Sequence, residues 1–281
     1  MRTTVRSTPA ALAPVLEELE LRQPKIVTKE LLAEIVSERD VALLVEDVSD
    51  RLQRHGWLLS LKTQGAWEFA PAARAGPIGS GDPFIELRAT LLRRPALSAT
   101  IAYDSAAWIH GLAGRAPEKH VLAIPAQTVA PPALRDFRFT RQTSHLDPVD
   151  MDGLPTWRIE TLLVLMGAHP TSYRAWPNVG EWLAEASQKI DQKLILEELK
   201  QRPRSAWART GYLLETGGRV DLAEAIEKRA PEGKGPFYLG SRKSGGRHDR
   251  RWDVRDSVLR FRDIHATDSG TATESARVSR R

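Results

Sequence analysis

The sequence contains no cysteine among its 281 residues. This absence excludes disulfides, thiolate nucleophiles and cysteine-ligated metal sites, and with them cysteine hydrolases, zinc ribbons and thiol redox enzymes. Long apolar runs are also missing, since no stretch of about 18 residues is free of polar side chains. The basic start, MRTTVRSTPA, leads into no apolar segment. We therefore expect no membrane span and no secretory signal, and a cytoplasmic protein.

Catalytic motifs are equally scarce. None of the seven histidines lies at metal-ligand spacing from another, and the common dinucleotide, phosphate, zinc-protease and serine-hydrolase motifs are absent. Asp104, Ser105 and His110 are better interpreted as helix-terminal residues than as a catalytic triad. The three aspartates in residues 147–152 lie in a Pro- and Gly-containing loop and are interpreted as solvated turn residues. We expect no enzyme activity, no catalytic residue, no metal and no cofactor.

The composition is that of a folded protein, with 41% apolar and 27% charged residues. The length allows two domains, each with its own core. A net charge of +5 suggests an acidic partner, but the charge is uneven. Residues 1–75 and 76–200 each carry a net charge of −1, whereas residues 201–281 carry +7. The N-terminal region thus lacks the excess of Lys and Arg that supplies most non-specific affinity for DNA.

Three helices followed by a hairpin are predicted at the N-terminus. Apolar side chains at helical spacing predict helices over residues 9–21, 29–37 and 41–54. Thr8-Pro9 and Thr28 are start signals for the first two, and Gly56 is a stop signal for the third. Two apolar runs around a polar turn, RLQRHGWLLSLKTQGAWEF (51–69), predict the hairpin. This order of elements is typical of a winged helix-turn-helix.

A second, larger domain follows. Residues 71–82 have the Ala, Pro and Gly content of a linker. Beyond them, the patterns predict two helices, three strands, five further helices and two possible strands, in chain order: 83–94 and 104–111; 121–125, 137–141 and 154–159; 160–168, 179–187, 192–201, 204–215 and 220–229; 237–239 and 252–261. We expect an α+β, mainly helical fold: a winged helix-turn-helix (1–75), a linker (76–82), a mixed α/β-to-α C-terminal domain (83–265) and a disordered tail (266–281).

The predicted third helix has an acidic outer face. Helical winding buries Val41, Leu44, Val45, Val48 and Leu52, and turns outward Glu46, Asp47, Asp50, Gln53 and Arg54. Carboxylates in a major groove are repelled by phosphates unless one accepts a hydrogen bond from cytosine N4. The residues that suit phosphates or base edges are Thr28, Lys29, Gln53, Arg54, Lys62 and Gln64. The residues alone leave two interpretations open: this unit contacts DNA, or its third helix only packs against the hairpin.

The C-terminal segment of residues 234–262 carries most of the excess charge. Phe237, Tyr238 and Trp252 are interleaved there with the cations Arg242, Lys243, Arg247, Arg250 and Arg251. Aromatic and cationic side chains in alternation suit a nucleic acid or an acidic protein surface. A solvated basic loop is the alternative. If this segment lies beside the winged helix, it supplies phosphate contacts that the first domain lacks.

Several collinear segments together resemble the AbiEi family of bacterial antitoxins, from type IV toxin-antitoxin systems. They are VTKELL (27–32), residues 51–69 quoted above, YDSAAWIHGLAG (103–114), LAIPAQ (122–127), TWRIETLLVLM (156–166) and RTGYLLETGG (209–218). The resemblance implies a non-enzymatic, two-part protein. Its winged helix would bind double-stranded DNA of its own promoter as an autorepressor, and its C-terminal domain would neutralise a nucleotidyltransferase-like toxin. The competing hypothesis is an interaction module that silences the toxin by direct contact without reading DNA.

Overall fold

The computed structural model describes residues 9–74, 76–243 and 245–259, so the predicted tail lies outside the described residues. The chain divides into two compact units. The first contains Met1–Ile109 and Arg115–Arg158, and the second contains His110–Gly114 and Ile159–Arg281. The predicted α+β class with a winged helix at its N-terminus is confirmed. The linker expected at 76–82 lies inside the first unit, and the assignment of roles to either side of it stays a prediction.

The first unit begins with the winged helix. Its elements are α1 (Ala13–Arg22), β1 (Ile26–Thr28), α2 (Lys29–Glu38), α3 (Val45–Arg54), β2 (Leu58–Ser60) and β3 (Ala66–Phe69). β3 is the middle strand and pairs antiparallel with both β1 and β2. The apolar stripes of all three helices meet one face of this sheet, with Leu19, Leu32, Leu52 and Phe69 almost fully buried. The inward-facing residues that the sequence predicts for the first two helices therefore form this core.

The third helix begins at Val45, four residues later than predicted, because Leu44 is its N-cap and has an extended backbone (φ −70°, ψ 147°). The inward position predicted for Leu44 was therefore wrong, whereas Val41 packs against the core as predicted. Leu44 is 70% exposed, and Leu43 packs against the core instead. From Val45 onward the phase is right, since Val48 and Leu52 are buried.

Two α-helices and a mixed sheet complete the described part of the first unit. In chain order they are α4 (Ile85–Arg93), β4 (Thr100–Ile101), α5 (Tyr103–Ile109), β5 (Val121–Ala123), β6 (Arg138–Thr140), β7 (Val149–Asp150) and β8 (Pro155–Thr156). The strand order is β6-β5-β4-β8-β7. β5/β6 and β4/β8 are parallel pairs, and the other pairs are antiparallel. The sequence missed β4 and β7 because two residues are too few to show alternation.

The second unit is helical with a small sheet. Its elements are α6 (Ile159–Ala168), α7 (Trp176–Gln188), α8 (Gln192–Leu199), α9 (Arg204–Thr216), α10 (Val220–Glu227), β9 (Phe237–Leu239), β10 (Arg247–Asp249) and β11 (Val254–Asp256). α6 is buried over residues 160–167 and packs on α8 and α9. Gly167 permits the close approach of α6 to Thr210 on α9. Of the described helices, none has both the length and the apolar character required to cross a membrane.

Candidate nucleic-acid interface

The outer face of α3 is acidic, as the sequence predicts. Glu46, Asp47 and Asp50 are exposed on it, together with Arg54. Gln53 is half-buried and joins α3 to β2: its amide nitrogen donates to the Ser49 carbonyl (3.3 Å), and its amide oxygen accepts from the Ser60 hydroxyl (2.9 Å). Of the two predicted contacts at this end of α3, Arg54 thus extends from the surface, whereas Gln53 supports the packing of the hairpin.

The start of α2 is balanced in charge. The Thr28 hydroxyl accepts a hydrogen bond from the Leu31 amide (3.3 Å) and so caps the helix. Lys29 Nζ lies 2.5 Å from a carboxylate oxygen of Glu46 on α3, and this contact lowers the pKa of the Glu46 carboxyl. Both side chains are more than half exposed. Lys29 can therefore reach a phosphate only by exchanging one anionic partner for another.

The tip of the β2–β3 hairpin is fixed against α4. The Glu86 carboxylate accepts hydrogen bonds from the Lys62 amide (2.6 Å), the Thr63 amide (3.2 Å) and the Thr63 hydroxyl (3.1 Å). The Lys62 ammonium pairs with Asp136 and lowers the pKa of that carboxyl. Gln64 is exposed at the same tip. The hairpin therefore has a fixed position within the first unit, and the Lys62 ammonium already has a carboxylate partner.

Further ion pairs join the winged helix to the rest of the first unit. Arg93 on α4 pairs with Glu30 on α2 and lowers the pKa of Glu30 to about 2. Lys25 and Arg88 both contact Asp152, at 2.5 and 2.9 Å. Asp152 was predicted to be a solvated turn residue; it is 74% exposed, but it also joins two elements. These partners are far apart in the chain, so no local sequence pattern indicates these ion pairs.

These ion pairs predict that the first unit weakens in acid. Pairing lowers the folded-state pKa of Glu30 from 4.5 to about 2. Its contribution to stability is therefore complete above the unfolded-state pKa and is lost as the pH falls from about 4.5 to 2. Urea unfolding measured across this pH range should show a smaller decrease in the free energy of unfolding for Arg93→Gln than for the wild type. An identical pH dependence in the two proteins would refute the role of this pair.

The predicted basic residues of the C-terminal segment lie in the second unit. The Arg242 guanidinium lies 5.4 Å from the centre of the Tyr238 ring, and Lys243, Arg247 and Arg250 are exposed. Arg251 contacts Glu215 at 2.8 Å and Glu227 at 2.7 Å, and it also lies over the Trp252 ring. Arg251 thus joins the small sheet to α9 and α10. Phosphate binding by these five cations stays a prediction.

Ser105 and Asp104 have partners that the sequence did not indicate. The Ser105 hydroxyl is fully buried, lies 3.0 Å from His120 Nδ1 and accepts a hydrogen bond from the Val121 amide (2.8 Å). Burial beside Phe84 lowers the pKa of His120. Asp104 pairs with Arg138 at 3.1 Å. Because the hydroxyl is enclosed and joins α5 to β5, the arrangement serves packing rather than nucleophilic attack on a substrate.

Comparison with known proteins agrees with this architecture. Residues 98–216 match the family model described as the AbiEi antitoxin C-terminal domain. The fold is similar to the crystal structure of the RV2827C protein from Mycobacterium tuberculosis, with a TM-score of 0.74 and 25% sequence identity. That similarity covers 92% of this chain and 94% of the other. None of the curated proteins compared by sequence matches the chain.

The resemblance inferred from the sequence is thus confirmed where the model matches. Four of the quoted segments, 103–114, 122–127, 156–166 and the greater part of 209–218, lie within the matched residues. The winged helix precedes them in the chain. Residues 98–216 of this protein are therefore similar to the AbiEi antitoxin C-terminal domain.

Proposed function

We propose that this protein is a non-enzymatic antitoxin that neutralises a nucleotidyltransferase-like toxin and represses its own operon through the winged helix. The match to an antitoxin domain at residues 98–216 carries the first half. The winged helix at residues 13–69 supports the second half, because this fold presents one helix to the major groove. Both roles rest on binding, which agrees with the lack of catalytic motifs in the sequence.

The exposed residues of the winged helix define how it would read DNA. The start of α3 enters the major groove, where Glu46 accepts a hydrogen bond from a cytosine amine. Lys29 then leaves Glu46 for a phosphate, and Arg54 contacts a second phosphate from the other end of α3. Gln64 at the hairpin tip is positioned as an adjacent contact.

The second candidate is toxin neutralisation by direct contact, without DNA reading. Two observations favour it: the acidic outer face of α3, and the pairing of Lys29 and Lys62 with Glu46 and Asp136. Under this hypothesis the ion pairs persist and the winged helix serves only packing. The two candidates share the antitoxin role and differ in whether operator DNA binds.

Operator binding separates the candidates. We expect the full chain to bind the DNA upstream of its gene at moderate salt, and the Lys29→Ala/Arg54→Ala double variant to bind at least about tenfold more weakly. The negative slope of log K against log salt should decrease in magnitude by about 2 in the double variant, since two phosphate contacts are lost. Lys193→Ala/Lys228→Ala is the matched control, because both side chains are exposed in the second unit. Equal affinities for the test and control variants would favour the direct-contact hypothesis.

Growth rescue tests the antitoxin role itself. Cells that express the product of the neighbouring gene should stop growing, and co-expression of the full chain should restore growth. The Lys29→Ala/Arg54→Ala variant should rescue as well as the wild type when both are expressed from a constitutive promoter. Failure of the wild-type chain to rescue would contradict the proposed function, whatever its affinity for DNA.

A further inference from the structure

Arg135 lies beside the hairpin tip of the winged helix, although it comes much later in the chain. It ends a short 3₁₀ helix (Pro132–Leu134) that packs on α4, and its amide donates to the Pro132 carbonyl (3.3 Å). The next residue, Asp136, pairs with the Lys62 ammonium of the hairpin tip. The tip is itself bonded to Glu86 of α4. Because all of these residues belong to the first unit, the backbone of Arg135 has a fixed position beside the tip.

At this point one carboxylate faces two cations. Asp136 Oδ2 contacts the Lys62 ammonium, and its Oδ1 lies 4.0 Å from Nε of Arg135. The second distance is too long for a hydrogen bond, so Asp136 uses none of the donors of the Arg135 guanidinium. The Arg135 side chain is 75% exposed and has no other carboxylate within ion-pair distance among the described residues. These three groups together carry one excess positive charge.

The hairpin is also joined to α3, the helix proposed to enter the major groove. The Ser60 hydroxyl donates to the side-chain oxygen of Gln53 (2.9 Å), and Gln64 is exposed at the tip. Rows of phosphates border the major groove, and Lys and Arg are common partners for them. A cation held beside the hairpin is therefore suited to the DNA backbone that flanks the groove.

We propose that Arg135 binds a DNA phosphate together with Lys62, and that Asp136 is the competing anion in the free protein. This inference rests on the DNA-binding half of the proposed function. Arg135 lies within residues 98–216, so the DNA interface would extend from the winged helix into the part that matches the antitoxin domain. It would supply positive charge that residues 1–75, with a net charge of −1, lack.

The exposure of the site favours a phosphate over a carboxylate of a partner protein. An isolated, exposed ion pair between proteins contributes little, because both charges stay hydrated and screened. A cation on DNA displaces condensed counterions, so even an exposed contact strengthens binding. An acidic surface of the toxin is the alternative, and growth rescue distinguishes it.

Operator binding by single variants tests Arg135. We expect Arg135→Ala to bind the DNA upstream of the gene at least about fivefold more weakly than the wild type at moderate salt. The negative slope of log K against log salt should decrease in magnitude by about 1, since one phosphate contact is lost. Arg174→Ala is the matched control, because Arg174 is exposed in the second unit. Equal affinities and slopes for Arg135→Ala and Arg174→Ala would overturn the site.

Removing the competing carboxylate should have the opposite effect. We expect Asp136→Asn to bind the operator at least about threefold more tightly, because the two cations no longer exchange one anion for another. Glu232→Gln makes the same change in net charge at an exposed position of the second unit and is the control. The gain should disappear in a Lys62→Ala/Arg135→Ala background. If Asp136→Asn bound no more tightly than Glu232→Gln, Asp136 would not compete with a phosphate.

A duplex of unrelated sequence separates this inference from the proposed function. Phosphate contacts carry no sequence information, so the variants should rank in the same order on this duplex at low salt. If the wild type failed to bind the operator but kept this order, autorepression would be contradicted and the phosphate site would stand. Loss of the order on both duplexes would overturn the site as well.

Growth rescue tests the alternative partner. With expression from a constitutive promoter, Arg135→Ala should rescue cells from the product of the neighbouring gene as well as the wild type does. At least tenfold fewer rescued colonies, together with unchanged DNA binding, would assign Arg135 to an acidic surface of the toxin and overturn the proposal. Failure of the wild type to rescue contradicts the antitoxin role instead and leaves the result of the DNA measurements as it is.

Discussion

Replacing Gly211 by alanine is expected to destabilise the second unit by about 3 kcal/mol, the upper part of the range for overpacked cores. Alanine within an exposed helix normally stabilises it by about 1 kcal/mol relative to glycine. Here a methyl group on Gly211 would overlap the indole ring of Trp252, which is 1% exposed and has no room to move. Urea unfolding followed by tryptophan fluorescence measures the change.

A matched glycine provides the control for this prediction. Gly114 belongs to the same unit, and a methyl group built on it meets no atom within 4 Å. Gly114→Ala should therefore unfold within about 0.5 kcal/mol of the wild type, as most surface substitutions do. If Gly211→Ala were as stable as Gly114→Ala, the indole of Trp252 could not lie against α9.

Replacing Arg202 by methionine should destabilise the second unit by about 3–5 kcal/mol, since removing one partner of a buried ion pair leaves an uncompensated charge. The Glu198 side chain is 0% exposed, contacts Arg202 at 2.5 Å and accepts a hydrogen bond from the Thr161 hydroxyl (3.0 Å). Methionine retains most of the apolar packing of the arginine stem. The loss of stability should therefore result mainly from removal of the positive charge. Urea unfolding at neutral pH is the measurement.

Two further variants test the origin of that loss. Adding Glu198→Gln to Arg202→Met should recover part of the stability, because no buried charge then remains. Lys189→Met breaks an exposed pair with Glu185 and should cost less than about 1 kcal/mol. A double variant less stable than Arg202→Met alone would show that the charge of Glu198 is not the cause.

Local patterns determine how much of this fold the sequence reveals. The stripes of α2 and α9 and the turn between β2 and β3 are encoded within a dozen neighbouring residues, and these elements were predicted correctly. The helix α3 begins later than predicted because the backbone is extended at Leu44. Hydrophobic periodicity does not show at which residue a helix begins. β4 and β7 owe their existence to neighbouring strands, which is a tertiary effect.

The candidate site was less predictable than the fold. Residue type alone selected Lys29, Lys62 and Arg251 as phosphate contacts, since a cation carries no local sign of its eventual partner. Glu46, Asp136 and Glu215 contact them only after folding.

The fixed hairpin tip has a consequence for dividing the protein into parts. Glu86 lies beyond the predicted linker, yet it is the acceptor for two backbone amides of the tip. In a fragment that ends at residue 82, those two amides would bond to water, and the Lys62 ammonium would lose its carboxylate partner Asp136. We therefore expect the hairpin tip to be less rigidly held in a fragment that ends at residue 82 than in the full chain, so the linker is a poor place to divide the protein.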